Sequence, residues 1–427
     1  MNRFMSVFSQ LLQLFSRLDF EKAVKETRAE RHARGFTCWG QFVAMLFCQL
    51  GRAKSLREIC GGLATCEGKL SHLGITAPRR STLAYANAHR PWTLYKAVFG
   101  QLLTRCQAVA AGRRKFRFKN KLTSLDASVI DLCASLFDWA KCRRTKRAVK
   151  LHLLLDHDGY LPSYAVITEG RQHEVTVAKT LTFAQGTILV IDRGYVDYAW
   201  FAALTLQGVF FVTRLKDNAV YRVVGTREVP AHRGIVTDDL IEFTGVGAAA
   251  KCPYALRRVA VEDPDTGDPV VFLTNHLTFG ATTIAAIYKD RWQIELLFKA
   301  LKQHLKIKTF VGTSATALHT QIWTALIALL VLKYLQLRST FGWSLSNLVA
   351  LLQFQLFTHR DLWAWLNEPF TGPPAIEAPE QLLLRRSPNL DSRLGGLNIR
   401  TVQTRPKPLE NTGGPLAWIS TENHSPK

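Results

Sequence analysis

At 427 residues, with 55 Lys and Arg against 33 Asp and Glu, the chain carries a formal net charge of +22. Hydrophobic residues make up 47% and charged ones 21%, which excludes a disordered basic tail and leaves length for roughly two or three domains. A packed protein that keeps such a surplus of cations repels itself, and a polyanion is the usual reason: nucleic acid first, an acidic membrane surface second.

Residues 1–110 read as helical, with Phe4, Phe8, Leu11, Leu12 and Phe15 recurring every three or four positions and a similar pattern from Phe42 to Leu50. No small-residue cleavage site follows the first apolar stretch, so an amphipathic helix is expected there and not a signal peptide. Arg17, Lys22, Lys25, Arg28, Arg31 and Arg34 sit between the apolar positions. Short helices with basic faces suit a DNA-binding module; the ordinary alternative is a helical packing domain with solvated Lys and Arg. The eight cysteines (Cys38, Cys48, Cys60, Cys66, Cys106, Cys133, Cys142, Cys252) form no Cys-x-x-Cys pair. They read as reduced thiols of a cytoplasmic protein, with no structural zinc expected.

From about 116 the period changes. Leu122–Leu132, Val149–Leu155 and Tyr160–Thr168 look like strands, the last two joined by an Asp158-Gly159 hairpin turn. A helical stretch at 175–184 leads to Ile188–Ile191, an apolar run typical of a parallel strand buried on both faces, which ends in Asp192. Asp197–Gln207 reads as helix and Val209–Val212 as strand, so an α/β sheet of mixed direction is expected. Residues 215–280 read as a β-rich insertion, with strands at 220–224, 235–243, 256–261 and 270–274. Helices resume near 281. The apolar run Ile322–Leu332 is shorter than the roughly 20 residues a bilayer needs, and the Pro- and Gly-rich tail after 370 reads as extended or disordered.

Three carboxylates stand out. Asp192 closes a buried strand, where open α/β sheets place reactive groups; its alternative is a turn or helix-cap role. Asp126 sits between Leu125 and Ala127 inside a strand, where a charge is costly unless it pairs or binds a cation. The alternatives are an outward-facing position or a partner for Arg113, Arg114 or Lys115. Glu295 belongs to the stretch Tyr288–Lys302, in which Tyr288, Arg291, Glu295 and Lys302 fall on one helical stripe about 60° wide, joined by Lys299 and Lys306. Asp290 does not fit the stripe and projects toward its apolar side. A solvated face with a Glu295–Lys299 pair is the ordinary reading. Three carboxylates on separate elements, beside cations and a tyrosine that grip phosphates, are instead the ligand set for a two-metal phosphoryl-transfer site, with Mg²⁺ as the ion that suits oxygen-only ligands.

Tyr288, Arg291, Glu295 and Lys302, spaced Tyr-x2-Arg-x3-Glu-x6-Lys, together with Asp126 in LTSLDASVIDL and Asp192 in ILVIDRGYVDY, resemble the DDE transposases of bacterial insertion sequences, specifically the insertion-sequence-4 family. The resemblance covers roughly 110–340, and the β-rich stretch between Asp192 and Glu295 has its counterpart there. STLAYANAHRPW, at 81–92, is loosely similar to a helical domain that precedes the core in one branch. What the resemblance implies is an RNase H-like mixed-sheet catalytic core at 111–340 with a β-strand insertion at 215–280, preceded by an all-α DNA-binding domain at 1–110 and followed by a helical segment and tail at 341–427. The enzyme would bind terminal inverted repeats of double-stranded DNA, cleave at the ends and join them to target DNA. Asp126, Asp192 and Glu295 would hold two Mg²⁺, with Mn²⁺ as a substitute, and Tyr288, Arg291, Lys299 and Lys302 would contact DNA. A homodimer in a synaptic complex is implied, and a hairpin step is carried over less firmly, since no Trp in 215–280 is at hand for a flipped base.

Two basic clusters point the same way. One contains Arg113, Arg114 and Lys115 and the other Arg143, Arg144, Lys146 and Arg147; both are expected to flank one edge of the sheet and to bind phosphates. His173-Glu174 reads as a helix start and Asp156-His157-Asp158 as a hairpin turn. The competing readings are a structure-specific nuclease or resolvase that cuts without joining, and a DNA-binding protein without chemistry. The protein is expected in the bacterial cytoplasm, associated with the nucleoid and not with a membrane.

Overall fold

The stretches between 122 and 274 whose apolar residues alternate or run together pair into one sheet, in a computed structural model that describes residues 5–370 apart from 32, 34, 133–146, 230–232, 246, 264–265, 304 and 306–309. Its described strands are β1 (Leu122–Leu132), β2 (Arg147–Asp156), β3 (Leu161–Glu169), β4 (Ile188–Ile191), β5 (Phe210–Arg214), β6 (Tyr221–Thr226), β7 (Ile235–Phe243), β8 (Leu256–Glu262) and β9 (Pro269–Thr274). They lie in the order β3-β2-β1-β4-β5-β9-β8-β7-β6. β4 pairs parallel with both β1 and β5, and the other neighbours are antiparallel. All four side chains of β4 are buried, as an unbroken apolar run in the sheet interior requires. The β-rich stretch at 215–280 builds onto this same sheet: β9 pairs with β5, Val212 opposite Thr274.

The helices are α1 (Val7–Leu12), α2 (Arg17–Thr27), α3 (Cys38–Leu50), α4 (Leu56–Ala64), α5 (Glu67–Leu70), α6 (Arg80–His89), α7 (Thr93–Ala110), α8 (Glu174–Ala178), α9 (Tyr198–Leu206), α10 (Ala248–Lys251), α11 (Ala281–Asp290), α12 (Trp292–Gln303), α13 (Ala315–Arg338), α14 (Leu345–Gln355) and α15 (Leu362–Asn367). Ser6, Ser16, Thr37, Ser55, Asp197, Ser314, Ser344 and Asp361 start eight of them, each side chain accepting a backbone N–H of the first turn. Together sheet and helices make a mixed α/β fold.

α13 is the axis of the largest core. It packs against α3, α6, α7, α14 and β3, so Phe42, Leu102, Leu153, Ile327 and Leu366 share one apolar cluster. The helices of the first 110 residues therefore bury their apolar faces on an element more than two hundred positions away. The run Ile322–Leu332 is part of this 24-residue helix, which is long and apolar enough to cross a bilayer, yet 83% of its most apolar window is buried inside the protein. α1 is tied in as well: Val7 N–H donates to the Thr358 carbonyl (3.0 Å) and Phe8 N–H to that of Leu356 (2.7 Å). On the sheet, α9 covers a second cluster around Leu189, Ile191 and Phe211, and α11 a third around Ile188, Val190 and Val212. Successive residues of β4 thus alternate between the two faces.

Two expectations need correction. The helix at 175–184 ends at Ala178, followed by turns at Lys179–Leu181. The stretch Tyr288–Lys302 is not one helix but two: α11 stops at Asp290, whose buried carboxylate is held from outside the helix, and α12 begins at Trp292. Arg291 between them closes an i−3 hydrogen bond to Tyr288 (3.1 Å), a tighter turn than the α-helical one. The tail after 370 lies outside the described residues.

Candidate active site

The parallel register of β1 and β4 sets the site. Leu125 lies opposite Ile191, so Asp126, inside β1, and Asp192, just past β4, each come one residue after a paired position. Glu295 comes from α12, which packs against β1. Arg291 joins them: its Nη1 lies 3.4 Å from Asp126 Oδ2 and 3.2 Å from Glu295 Oε1. The break before α12 leaves Arg291 and Glu295 an i,i+4 pair beside Asp126 of β1. Tyr288, last but two in α11, packs its ring at a tilt against Phe272 (4.8 Å between centroids), and its ring centre lies 5.5 Å from the Arg291 guanidinium carbon.

The electrostatics are those of crowded carboxylates. Burial, offset in part by Arg291 and reinforced by Glu295 and Asp192, pushes the Asp126 carboxyl up to about 7. Asp126 Oδ1 accepts from Ala127 N–H (2.7 Å). Asp192 Oδ1 accepts from Arg193 N–H (2.6 Å), so it also caps the short turn Arg193–Tyr195. That turn places the buried Tyr195 hydroxyl, without a hydrogen-bond partner, among these acids; burial, then Asp126, Glu174 and Asp192, raise its pKa. Burial raises the Tyr288 phenol too. Among the described residues, Arg291 Nε is a further buried donor without a hydrogen-bond partner.

Among the described residues no group of three or more His, Cys, Asp and Glu side chains is closed tightly enough to hold a metal ion. The donor chemistry nevertheless fits a hard divalent cation: oxygen ligands only, one of them with its carboxyl raised chiefly by burial and further by its like-charged neighbours.

Behind the site lies a buried network that the sequence reading missed. Asp290, 2% exposed, accepts from Lys115 Nζ (2.6 Å) and the Tyr160 hydroxyl, and its Oδ2 lies 2.7 Å from His157 Nδ1. His157 Nε2 lies 2.7 Å from Ser124 Oγ, two residues before Asp126 on the same face of β1. A serine, histidine and acid in this order suggest a nucleophile, but Ser124 is fully buried and no substrate reaches it. The network braces the α11–α12 junction against β1. Its signal in the sequence was the misfit of Asp290, an acid on the apolar side of an amphipathic stretch.

The basic clusters are placed differently from expectation. Residues 113–119 precede β1, which lies inside the sheet and not at its edge, while 141–146 lie outside the described residues. Lys115 pairs with Asp290 and Arg114 with Asp158 (3.3 Å), so neither is the partner of Asp126, and both are engaged within the protein. Arg113 is exposed. Arg143, Arg144 and Lys146 lie outside the described residues, and Arg147 opens β2. Lys299 is exposed one turn beyond Glu295, and Lys302 sits half-buried in the last turn of α12. Asp156-His157-Asp158 does open the β2–β3 turn, and His173 does precede α8.

The family described as "Transposase DDE domain" matches residues 117–331, and a domain of unknown function, DUF4372, matches residues 4–76. A relative from Sinorhizobium fredii, named as a transposase (y4zB), is 33% identical over 322 residues, 74% of this chain and 88% of its own. Another, from Geobacillus stearothermophilus and named as the transposase for insertion sequence element IS5377, is 28% identical over 257 residues, 60% of this chain and 67% of its own. Among solved structures, a cryo-EM synaptic complex of piggyBac transposase with hairpin DNA aligns with 87% of this chain and 83% of its own at 10% identity; the TM-score, 0.40, is too low to bear on the fold.

Proposed function

The chain belongs to the transposases with a DDE domain, which accounts for half its length, and from that premise we propose that Asp126, Asp192 and Glu295 are its catalytic carboxylates. The observation that carries this reading is the pairing of Leu125 with Ile191, which sets two acids on adjacent parallel strands, with Arg291 linking the first of them to Glu295. The spacing of Tyr288, Arg291, Glu295 and Lys302 favours the insertion-sequence-4 branch. The strand order β3-β2-β1-β4-β5 favours an RNase H-like core.

The enzyme cuts double-stranded DNA at transposon ends and joins them to target DNA. Asp126, Asp192 and Glu295 hold two divalent ions, Mg²⁺ or in its place Mn²⁺. When bound, these neutralise charge at the reacting phosphoryl group and ease loss of the proton from the attacking oxygen. The chain's own groups bind and orient. Arg291 compensates Asp126 and Glu295 in the free protein and keeps an unpaired Nε donor in reserve for a phosphate oxygen. The Tyr288 ring lies beside that guanidinium, and Lys299 and Lys302 extend the cationic face along α12. The helices of 1–110 recognise the ends, 111–340 is the catalytic region, and two copies work together in the cytoplasm, on the nucleoid.

Glu295→Gln tests the assignment. On a duplex carrying the terminal repeat that flanks the gene, cleavage and joining fall by about 10²–10⁴-fold, while affinity for the duplex stays within about threefold. Equal loss of binding and cleavage makes Glu295 structural and sinks the reading. Cutting by the parent protein without joined product in a plasmid-integration assay makes it a nuclease.

A further inference from the structure

A cavity of about 290 Å³ opens between α12, the start of α14 and the C-terminal end of α13. Its walls include Gln293 and Lys299 of α12, Lys333 and Gln336 of α13, Ser346 of α14, and Tyr160 from the β2–β3 turn. Two lysines face this space and no Asp or Glu lines it. Lys299 is exposed, and among the described residues neither lysine has an ion pair. Lys333 is partly buried, its ammonium 5.9 Å from the centre of the Tyr160 ring. Burial with no compensating carboxylate lowers the Lys333 ammonium to about 8. An unpaired cation inside a protein is costly, and an anion that enters recovers that cost.

The surroundings hold this arrangement in place. Tyr160 adopts φ 54°, a left-handed conformation that a bulky residue rarely takes, and its hydroxyl donates to Asp290, the acid beside Arg291. The cavity is therefore braced by the network that positions the α11–α12 junction. On α12, Lys299 stands between Glu295, one turn (about 5–6 Å) before it, and the cavity. A strand that reaches Glu295 has a cationic route past Lys299 to Lys333.

We propose that this cavity is a phosphodiester-binding subsite, in which Lys299 and Lys333 grip the backbone of the DNA strand engaged at Asp126, Asp192 and Glu295, at a phosphate next along from the reacting one. The proposal rests on the reading of those three carboxylates as the catalytic centre. It gives α13, otherwise a core helix, a direct part in substrate binding.

The test is the salt dependence of DNA affinity, read by fluorescence anisotropy with two probes: a duplex of the terminal repeat flanking the gene, and an unrelated duplex of the same length. Lys333→Gln makes the slope of log affinity against log salt shallower by about 0.9, and affinity at low salt falls about 5–10-fold. Lys333→Arg retains the slope. Loss with the repeat alone assigns the subsite to the transposon end; equal loss with both assigns it to backbone contact shared with target DNA. If Lys333→Gln fails to fold, Gln293→Glu, which sets a carboxylate in the cavity from a half-buried position on α12, takes its place and lowers affinity at low salt by at least the same factor. Slopes equal to that of the parent in the folded variants overturn the subsite. Because Glu295→Gln is scored on cleavage, its failure marks the centre as misassigned, while unchanged slopes beside an inactive Glu295→Gln overturn the subsite alone.

Discussion

Asp126 shows what concentrating carboxylates costs the free protein. Its carboxyl is raised to about 7, chiefly by burial, with Glu295 and Asp192 adding to it and Arg291 opposing. A group whose folded pKa is raised contributes stability below its unfolded value, near 4, and that contribution is lost as pH climbs through the folded value near 7. Asp126→Asn removes the titration and mimics the neutral form. With a chelator present, the variant is therefore expected to melt at the parent's temperature near pH 4 and progressively above it toward pH 7, by an amount worth roughly 1–3 kcal/mol, while its strand-transfer activity is lost. A melting difference that is flat across that range contradicts the placement of Asp126 among like charges. The candidate carboxylates were legible in the sequence because each breaks a local rule: Asp126 interrupts an apolar strand and Asp192 ends one. His157 was not legible, because what makes it more than a turn residue is Asp290, 133 positions away.

Gly159 carries the equivalent argument for an element. It sits at φ 76° in the turn from β2 to β3, and a Cβ there would stand 2.8 Å from the Cβ of Ala110, at the end of α7, and 3.4 Å from Leu337 on α13. Gly159→Ala thus meets a backbone penalty and a clash together, at the point where sheet, α7 and α13 meet. A loss of about 2–4 kcal/mol is expected in denaturant unfolding. Gly112, at φ 78° with nothing within 4 Å, bears the backbone penalty alone and loses about 1 kcal/mol as Ala. Equal losses at the two positions count against the close packing of the turn. Strands with a strong period were readable to the residue, as in β1, β4 and β7, because alternation or unbroken apolarity is itself the cause of their burial. The joining of β9 to β5 was not, since nothing local to either strand names its partner. Nor was the break at Arg291, where the last residue of α11, Asp290, has its side chain held by Lys115 and His157 from distant parts of the chain.

For the whole molecule, the decisive feature is where the helical half finds its core. A surplus of 22 positive charges spread over a protein of ordinary hydrophobicity suggested a basic module beside a catalytic one. Yet α3, α6 and α7 lay their apolar faces on α13, and α1 is hydrogen-bonded to the segment around Leu356–Thr358. Each Leu, Ile, Phe or Trp that loses its partner on α13 forfeits about 1.5–3 kcal/mol, and a handful exceeds the 5–15 kcal/mol by which a domain is usually stable. Residues 1–110 expressed alone are therefore expected to melt without a cooperative transition and to elute as an aggregate in gel filtration, whereas the full chain melts with its helical and sheet signals together. A sharp, reversible transition in the isolated fragment would show that α13 is dispensable to it, and end recognition could then be treated as a separable module. If the fragment fails to fold, any contact that 1–110 makes with DNA is mechanically continuous with α13, and through α13 with Lys333 and the helix that carries Glu295.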